Sequence, residues 1–445
     1  MKDIYITLDD KLFFQRMKLG DEYRGNARIF DFKGVRGMEL NEDAYAILEL
    51  LDNGYSLSRC LAQLAKRYSI TEADLEPAVQ SIVNQLLESG LATISHSRPA
   101  SRTPVIPPCR EIPHTHTLEN VTIELTSRCN LVCKHCYGSF QTGKGADLDK
   151  GLVLEAMDQL HALQCCDVQF TGGEPLMHRD FWDILDIAVN HHHFVVSLSS
   201  NGTLFTPEAV RRLKQTGRVN VNISIDGHKA AINDPFRGVA GGFEQAVEAV
   251  KRLHGEGFRV KIVHTVHKGS SPFVNQMWDL AEELGVEILL AQAYRSGRCT
   301  ETADDICIEP REFYRAIHST RRRMKAGLPT ESTAAPPGDT LLRCEGGIEK
   351  IAIRYNGDIT PCIAYPHTKR FVMGNIRDRS IEKIFYSFDG DRILGRNNAL
   401  EIEECEHCPS ISTCKSGCLA IAFAETGRLD RKDPFSCARY RALID

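Results

Sequence analysis

The stretch Cys129-Asn130-Leu131-Val132-Cys133-Lys134-His135-Cys136 brings three thiols together directly after the apolar run 121–126. Thiolates on one tight loop can each take an iron of a [4Fe–4S] cube, and three of them leave the fourth iron to an exogenous ligand. A structural zinc site asks for four protein ligands, and His135 is the residue at hand for that reading. Downstream, strand-like runs at 167–171, 194–199, 219–225, 259–267 and 286–292 alternate with amphipathic helical patterns such as 152–163 and 243–254. With 121–126 they make six strand–helix repeats. That implies a parallel sheet with right-handed crossovers, an α/β fold on the plan of a partial (β/α)6 TIM-type barrel. Ligands of such sheets bind beyond the carboxyl ends of the strands. The polar or glycine-containing segments 127–136, 172–175, 199–202 and 226–227 all lie there.

The whole chain has 445 residues, enough for about three domains at ~150 residues each. Its 42% hydrophobic and 25% charged residues are those of a globular protein. A net charge of −5 supplies no basic field for nucleic acid or an anionic membrane. No apolar run approaches the roughly 18 residues of a membrane span, and the charged start of the chain lacks a signal-peptide core. These features predict a cytoplasmic protein. Sixteen cysteines in a reducing compartment argue for metal rather than disulfides, and ten of them fall in two spaced clusters.

Residues 1–96 read as a separate module. Short extended stretches at 3–7, 28–32 and 35–40 precede three helices. Asn41 caps the first, which carries Ala44, Ile47, Leu48 and Leu51 on one face. Ser56 opens the second, with Leu57, Leu61 and Leu64, and the third carries Leu75, Val79, Ile82, Val83, Leu86 and Leu87. A strand at 91–94 closes a winged-helix-like α+β domain. Residues 97–118, with Pro104, Pro107, Pro108 and Pro113 among their prolines, form a stiff linker. The barrel spans 119–328, a bridging segment 329–342, and a cysteine-dense segment poor in core residues 343–445. Such a segment needs metal to fold.

The pair of motifs CNLVCKHCY, after the first barrel strand, and TGGEP, after the second, resembles the radical S-adenosylmethionine (SAM) superfamily over 121–294. The resemblance implies that the open iron chelates S-adenosyl-L-methionine. Reductive cleavage of SAM then yields a 5′-deoxyadenosyl radical that abstracts hydrogen from substrate. Position by position, it implies that Glu174 accepts from the methionine ammonium and that Gly172 and Gly173 allow close backbone approach. It places Ser199 and Asn201 at the ribose, Ser224 at a polar SAM contact, and Arg237 on the methionine carboxylate. Asp226, before Gly227, reads as a turn former. Each of the later positions has a plainer reading as a strand-end cap or a surface charge.

The second cluster runs Cys344-x12-Gly357-x4-Cys362, then Cys405-x2-Cys408-x5-Cys414-x3-Cys418, then Cys437. It resembles the SPASM extension of radical SAM peptide-modifying enzymes. By that resemblance Cys344, Cys362 and Cys418 hold an inner auxiliary [4Fe–4S] cluster, while Cys405, Cys408, Cys414 and Cys437 hold an outer one. With the first, that makes three clusters. The inner set is one ligand short. Either a remote thiol such as Cys299 or Cys307 completes it, or an iron stays open to a substrate thiolate. A zinc ribbon over Cys405/Cys408 and Cys414/Cys418 is the competing reading.

The segments 41–47, 51–54 and 85–91 resemble the PqqD-like peptide-recognition element, which binds a leader peptide as an added strand. DNA binding is the competing reading, without a basic helix to support it. Together the parts resemble a radical SAM maturase of a ribosomally made peptide, in the layout of subtilosin-type thioether-forming enzymes. The implied partners are a precursor peptide and a flavodoxin- or ferredoxin-type electron donor. Other products stand beside the thioether: a carbon–carbon or ether crosslink, an epimer, or a decarboxylated tail. A formylglycine-type maturase and a non-catalytic iron–sulfur or zinc scaffold are the remaining alternatives. No residue of the sequence stands out as a general base. Cys165 and Cys166 read as buried packing, and the run 191–193 of histidines as surface.

Overall fold

The structure is a computed structural model and describes residues 4–9, 12–16, 27–30, 37–99, 104–106, 117–217, 219–324, 344–389 and 399–441. The bridging segment 329–342, Cys109, His114 and His116 lie outside the described residues. Among the described residues no helix is long and apolar enough to cross a membrane.

The N-terminal module pairs β1 (Tyr5–Leu8) antiparallel with β5 (Ala92–Ser95). Beside it stands a three-stranded sheet of β2 (Phe13–Arg16), β3 (Ala27–Phe30) and β4 (Gly37–Leu40). The sequence reading lacked β2, whose Phe13-Phe14-Gln15-Arg16 shows no apolar–polar alternation to mark a period of two. Helices α1 (Glu42–Asp52), α2 (Leu57–Tyr68) and α3 (Glu72–Glu88) follow. Asn41 Oδ1 accepts from Ala44 N at 2.9 Å and so caps α1, which buries Ala44, Ile47, Leu48 and Leu51. Ser56 stands at the N-cap of α2 but makes no side-chain cap bond. The module's core takes in Val105 and Ile106 from the proline-rich stretch, and Ile106 N donates to buried Asp52 Oδ2 at 2.7 Å.

The barrel strands are β6 (Asn120–Thr126), β7 (Asp167–Gly172), β8 (Val195–Ser200), β9 (Val219–Ser224), β10 (Val260–Val266) and β11 (Glu287–Gln292). Every neighbouring pair among them is parallel. Helices α4 (Lys150–Ala162), α5 (Phe181–Asp186), α6 (Pro207–Thr216), α7 (Ala230–Arg237), α8 (Gly242–Gly255) and α9 (Val274–Glu283) make the crossovers. Val168, Phe170, Val196, Leu198, Val221 and Ile223 are fully buried in the apolar core, each contributing about 1.5–3 kcal/mol. The alternate positions Gln169, Ser199, Asn222 and Ser224 lie on the opposite face and are half-buried. Gln169 links across it, accepting from Thr122 Oγ1 and donating to Ser199 Oγ at 2.7 Å.

The sheet continues past the first barrel strand. On the free edge of β6 lies β12 (Lys350–Ile353), parallel to it, followed by antiparallel β13 (Asp358–Thr360) and β14 (Gly374–Asn375). One ion pair marks this seam. Glu124 of β6, fully buried, accepts from Arg354 Nη1 at 2.9 Å and from Tyr355 N and His367 Nε2 at 3.3 Å. The other end of the Arg354 guanidinium donates to the carbonyls of Cys362, Ile363 and Tyr365. Burial opposes ionisation of Glu124, yet the His367 hydrogen bond and the Arg354 charge hold its carboxyl below the ordinary carboxylate range. A carboxyl held low in the folded state contributes stability above the unfolded carboxylate range and loses it as pH falls through its folded value.

Arg354→Met should therefore destabilise the protein by about 3–5 kcal/mol, since it strands a buried carboxylate. In urea melts near neutral pH the midpoint drops markedly, whereas Arg428→Met, at an exposed pair, moves it little.

Candidate iron–sulfur and cofactor site

The loop after β6 carries Cys129, Cys133 and Cys136 inside a collar of Leu131, Tyr137, Phe140, Val239 and Tyr355. Turn bonds fold it tightly: Cys136 N donates to Cys133 O at 3.3 Å and Leu131 N to Cys129 Sγ at 3.4 Å. Burial pushes the Cys129 thiol up to about 12, and the charges of Glu174, Cys133 and Cys136 beside it act in the same direction against the Leu131 N–H. Buried thiols crowded in this way ionise only when a cation compensates them, as coordinated iron does. Among the described residues, no three such side chains converge as the ligands of a single ion do. A cube asks for wider spacing, because each thiolate takes its own iron.

The end of β7 presses against this loop. Gly173 N donates to Thr126 O and Glu174 N to Arg128 O, at 2.7 and 2.8 Å. A Cβ on Gly172, whose φ is +139°, would stand 2.3 Å from Thr126 O, and one on Gly173 would stand 2.2 Å from Arg128 O. The neighbour that requires these two glycines is thus the thiol loop's own backbone. Behind them Glu174 is fully buried. Its carboxylate accepts from Ser200 Oγ at 2.8 Å, Asn201 N at 2.9 Å and Leu176 N at 3.4 Å. Burial still raises it to about 7, against those hydrogen bonds and the charge of Arg237.

Asn201 bridges to the thiol loop, donating from Nδ2 to Asn130 Oδ1 at 2.9 Å, and accepts from Thr203 at Oδ1. Ser199 and Ser224 share the polar face of the sheet described above. Arg237, buried at the end of α7, donates from Nη1 to Asp226 Oδ2 at 2.5 Å, and its buried Nε has no partner. That orphaned donor fits a carboxylate ligand, just as Glu174 fits an ammonium.

Asp226 corrects the reading as a turn former. It is fully buried, and its Oδ1 accepts from Thr265 N at 2.7 Å. Against burial, the charges of Arg237, His135 and His264 and the Thr265 bond lower its carboxyl to about 2. His135, from within the thiol motif, stacks on Phe236 at 4.6 Å, and Phe236 stacks on His267 at 3.8 Å. Sequence reasoning missed Ser200, Asp226 and this ring stack. The polar strand ends 199–202 and 226–227 were the signal for the first two.

The second cysteine set divides in two. Cys344, Cys362 and Cys418 gather about Tyr365, Phe371 and Leu419. Cys405, Cys408, Cys414 and Cys437 line one cavity with Ile411 and Asp433. Asp433 joins the two sets: its Oδ2 accepts from Cys418 N and Ser436 Oγ, and its carbonyl accepts from Cys437 N. Cys299 and Cys307 face each other with their sulfurs 3.6 Å apart. Cys165 is buried as expected, but so is His192, which stacks on Phe194 at 5.3 Å.

Comparisons with known proteins agree with this layout. Residues 123–283 match the radical SAM superfamily, 344–409 an iron–sulfur cluster-binding (SPASM) domain, and 29–92 coenzyme PQQ synthesis protein D (PqqD). The mycofactocin maturase MftC of Mycobacterium tuberculosis (strain ATCC 25618 / H37Rv) is 31% identical over 332 residues, covering 71% of this chain and 81% of that one. The antilisterial bacteriocin subtilosin biosynthesis protein AlbA of Bacillus subtilis (strain 168) is 25% identical over 431 residues, 96% of this chain and 93% of that one. Among solved structures, Streptococcus suis SuiB bound to its precursor peptide SuiA superposes with a TM-score of 0.66 at 16% identity, covering 97% of this chain and 99% of that one. With three cysteines beside a buried carboxylate and arginine at the end of a parallel sheet, and with relatives of this identity and coverage, the chain belongs to the radical SAM superfamily as a peptide-modifying enzyme with iron–sulfur and PqqD-type segments.

Proposed function

We propose that this enzyme joins a cysteine sulfur to a carbon of a ribosomally made precursor peptide, forming a thioether. The observation that carries the reading is the division of the auxiliary cysteines. Four of them line one cavity, whereas Cys344, Cys362 and Cys418 gather as three. A cube takes four thiolates, so the three-thiol set keeps a place for the peptide's own sulfur. AlbA, a subtilosin biosynthesis protein, aligns over 96% of this chain and so supports the same reading.

In this proposal Cys129, Cys133 and Cys136 hold the first cluster and the other seven hold two auxiliary ones. Glu174 takes the ammonium of SAM, held for it by Ser200 and the Asn201 amide. Arg237 offers Nε to the carboxylate while Asp226 fixes its far side. Ser199, Asn201 and Ser224 supply polar contacts to the nucleoside, and Gly172 and Gly173 let the pocket close on the thiol loop. When bound, the cofactors supply a 5′-deoxyadenosyl radical for hydrogen abstraction. Tyr137, Phe140 and Tyr355 exclude water from that end of the sheet. The module at 1–96 holds the leader and raises the local concentration of the core peptide at the barrel, 119–328, and at the auxiliary segment, 343–445. A flavodoxin- or ferredoxin-type protein delivers the electrons. A different peptide modification is the second reading, supported by the 31% identity to a mycofactocin maturase, a name that specifies no thioether.

Anaerobic turnover with the precursor peptide decides between them. A thioether removes two hydrogens for each bond and blocks alkylation of the joined cysteine. A product that keeps its cysteine open to iodoacetamide supports the second reading. The same peptide without its leader should turn over about 10²–10⁴-fold more slowly at low concentration. Replacing Cys129, Cys133 and Cys136 with alanine should abolish deoxyadenosine formation while leader affinity stays at the wild-type value. In equilibrium dialysis, Glu174→Gln should weaken SAM binding by about 10- to 100-fold, the loss of a charged hydrogen bond of about 1.5–3 kcal/mol.

A further inference from the structure

The sheet order leaves the six barrel strands as an open arc: β11 is its edge strand, and β6 pairs on its far side with β12 rather than with β11. The thiol loop leaves the chain at one end of that arc and the segment after β11 at the other. These two segments are nevertheless tied together, through Arg298.

Arg298 N donates to Cys136 O at 2.9 Å. Its Nη1 donates to Cys133 O at 2.7 Å and its Nη2 to Phe140 O at 2.5 Å. One turn later Thr302 Oγ1 donates to Lys134 O at 2.8 Å. The approach is close enough to require glycine next door: Gly297 has φ +55°, and a Cβ there would stand 2.2 Å from Tyr137 O and 2.4 Å from Cys136 O. Four loop carbonyls, two of them on cysteines, are thus gripped by side chains and backbone from the opposite edge of the arc. The guanidinium also carries a full positive charge to within electrostatic range of Cys133.

We infer that Arg298 is the positioning residue of the thiol loop, a clasp that closes the open barrel at the cluster and biases its reduction. The fork spans two carbonyls at once, which the single ammonium of a lysine cannot do. A fixed cation beside a cluster favours the reduced, more negative state, so its removal moves the potential downward. The inference rests on Cys129, Cys133 and Cys136 holding a cluster, and its test separates the two claims.

The test compares reconstituted wild-type holoenzyme with Arg298→Met and Arg298→Lys. The Met variant should release the SAM-responsive cluster to a chelator several-fold faster than wild type, show a more negative midpoint potential, and exchange amides of 129–140 faster. The Lys variant keeps the charge and should restore the potential while iron release stays fast. Leader affinity and the auxiliary-cluster signals report that the variants are folded. If Arg298→Met does not fold, Thr302→Val, which removes one bond of the clasp, should still show faster release and exchange. Wild-type release, potential and exchange in Arg298→Met, or wild-type release and exchange in Thr302→Val where only that variant folds, would overturn the clasp. A wild-type protein with no SAM-responsive cluster would instead overturn the reading of the thiols.

Discussion

The ion pair between Glu124 and Arg354 is buried on both sides, and the arrangement of the molecule around the site turns on it. Taking two charges out of water is costly unless the geometry is good and the remaining donors are satisfied. Here they are: the guanidinium spends its other donors on Thr360 and on three carbonyls at and after Cys362. One residue thereby fixes the first barrel strand and the segment at and after Cys362 in a single frame. Moving any of them would leave a charge unpaired in the interior.

The first site follows the same logic with one ingredient held back. Three crowded thiols, a buried Glu174 raised to about 7, and an Arg237 with an idle Nε are each unfavourable as isolated groups. Ser200 and Asn201 hold the carboxylate and Asp226 the guanidinium in place all the same. A scaffold that keeps such groups dry and oriented is preorganised for a cationic, chelating ligand. Strain of this kind at a site is held by the surrounding packing, here the parallel sheet and its fully buried aliphatic layer.

Much of this was legible in the residues. The spacing of Cys129, Cys133 and Cys136 after an apolar run pointed to a cluster with an open iron because ligand number and loop length are local properties, and the resemblance carried by Gly172-Gly173-Glu174 after the next strand supplied the cofactor. The alternation of strands and helices fixed the parallel topology for the same reason. The strand at Phe13 reads Phe-Phe-Gln-Arg, without the alternation that would show its period. His192 looked solvated because a run of histidines carries no burial signal, yet it packs on Phe194.

The amino-acid order by itself determined the class of fold, the inventory of thiols and the end of the sheet at which they gather, since periodicity and motif spacing are written within a few residues. Tertiary structure alone decided that Asp226 anchors an arginine rather than making a turn, that β12 extends the barrel sheet, and that Arg298 reaches back across the arc to the thiol loop. Those facts join residues 11, 230 and 158 or more positions apart. Such pairings are selected by burial and charge in the folded interior, and no local pattern encodes them.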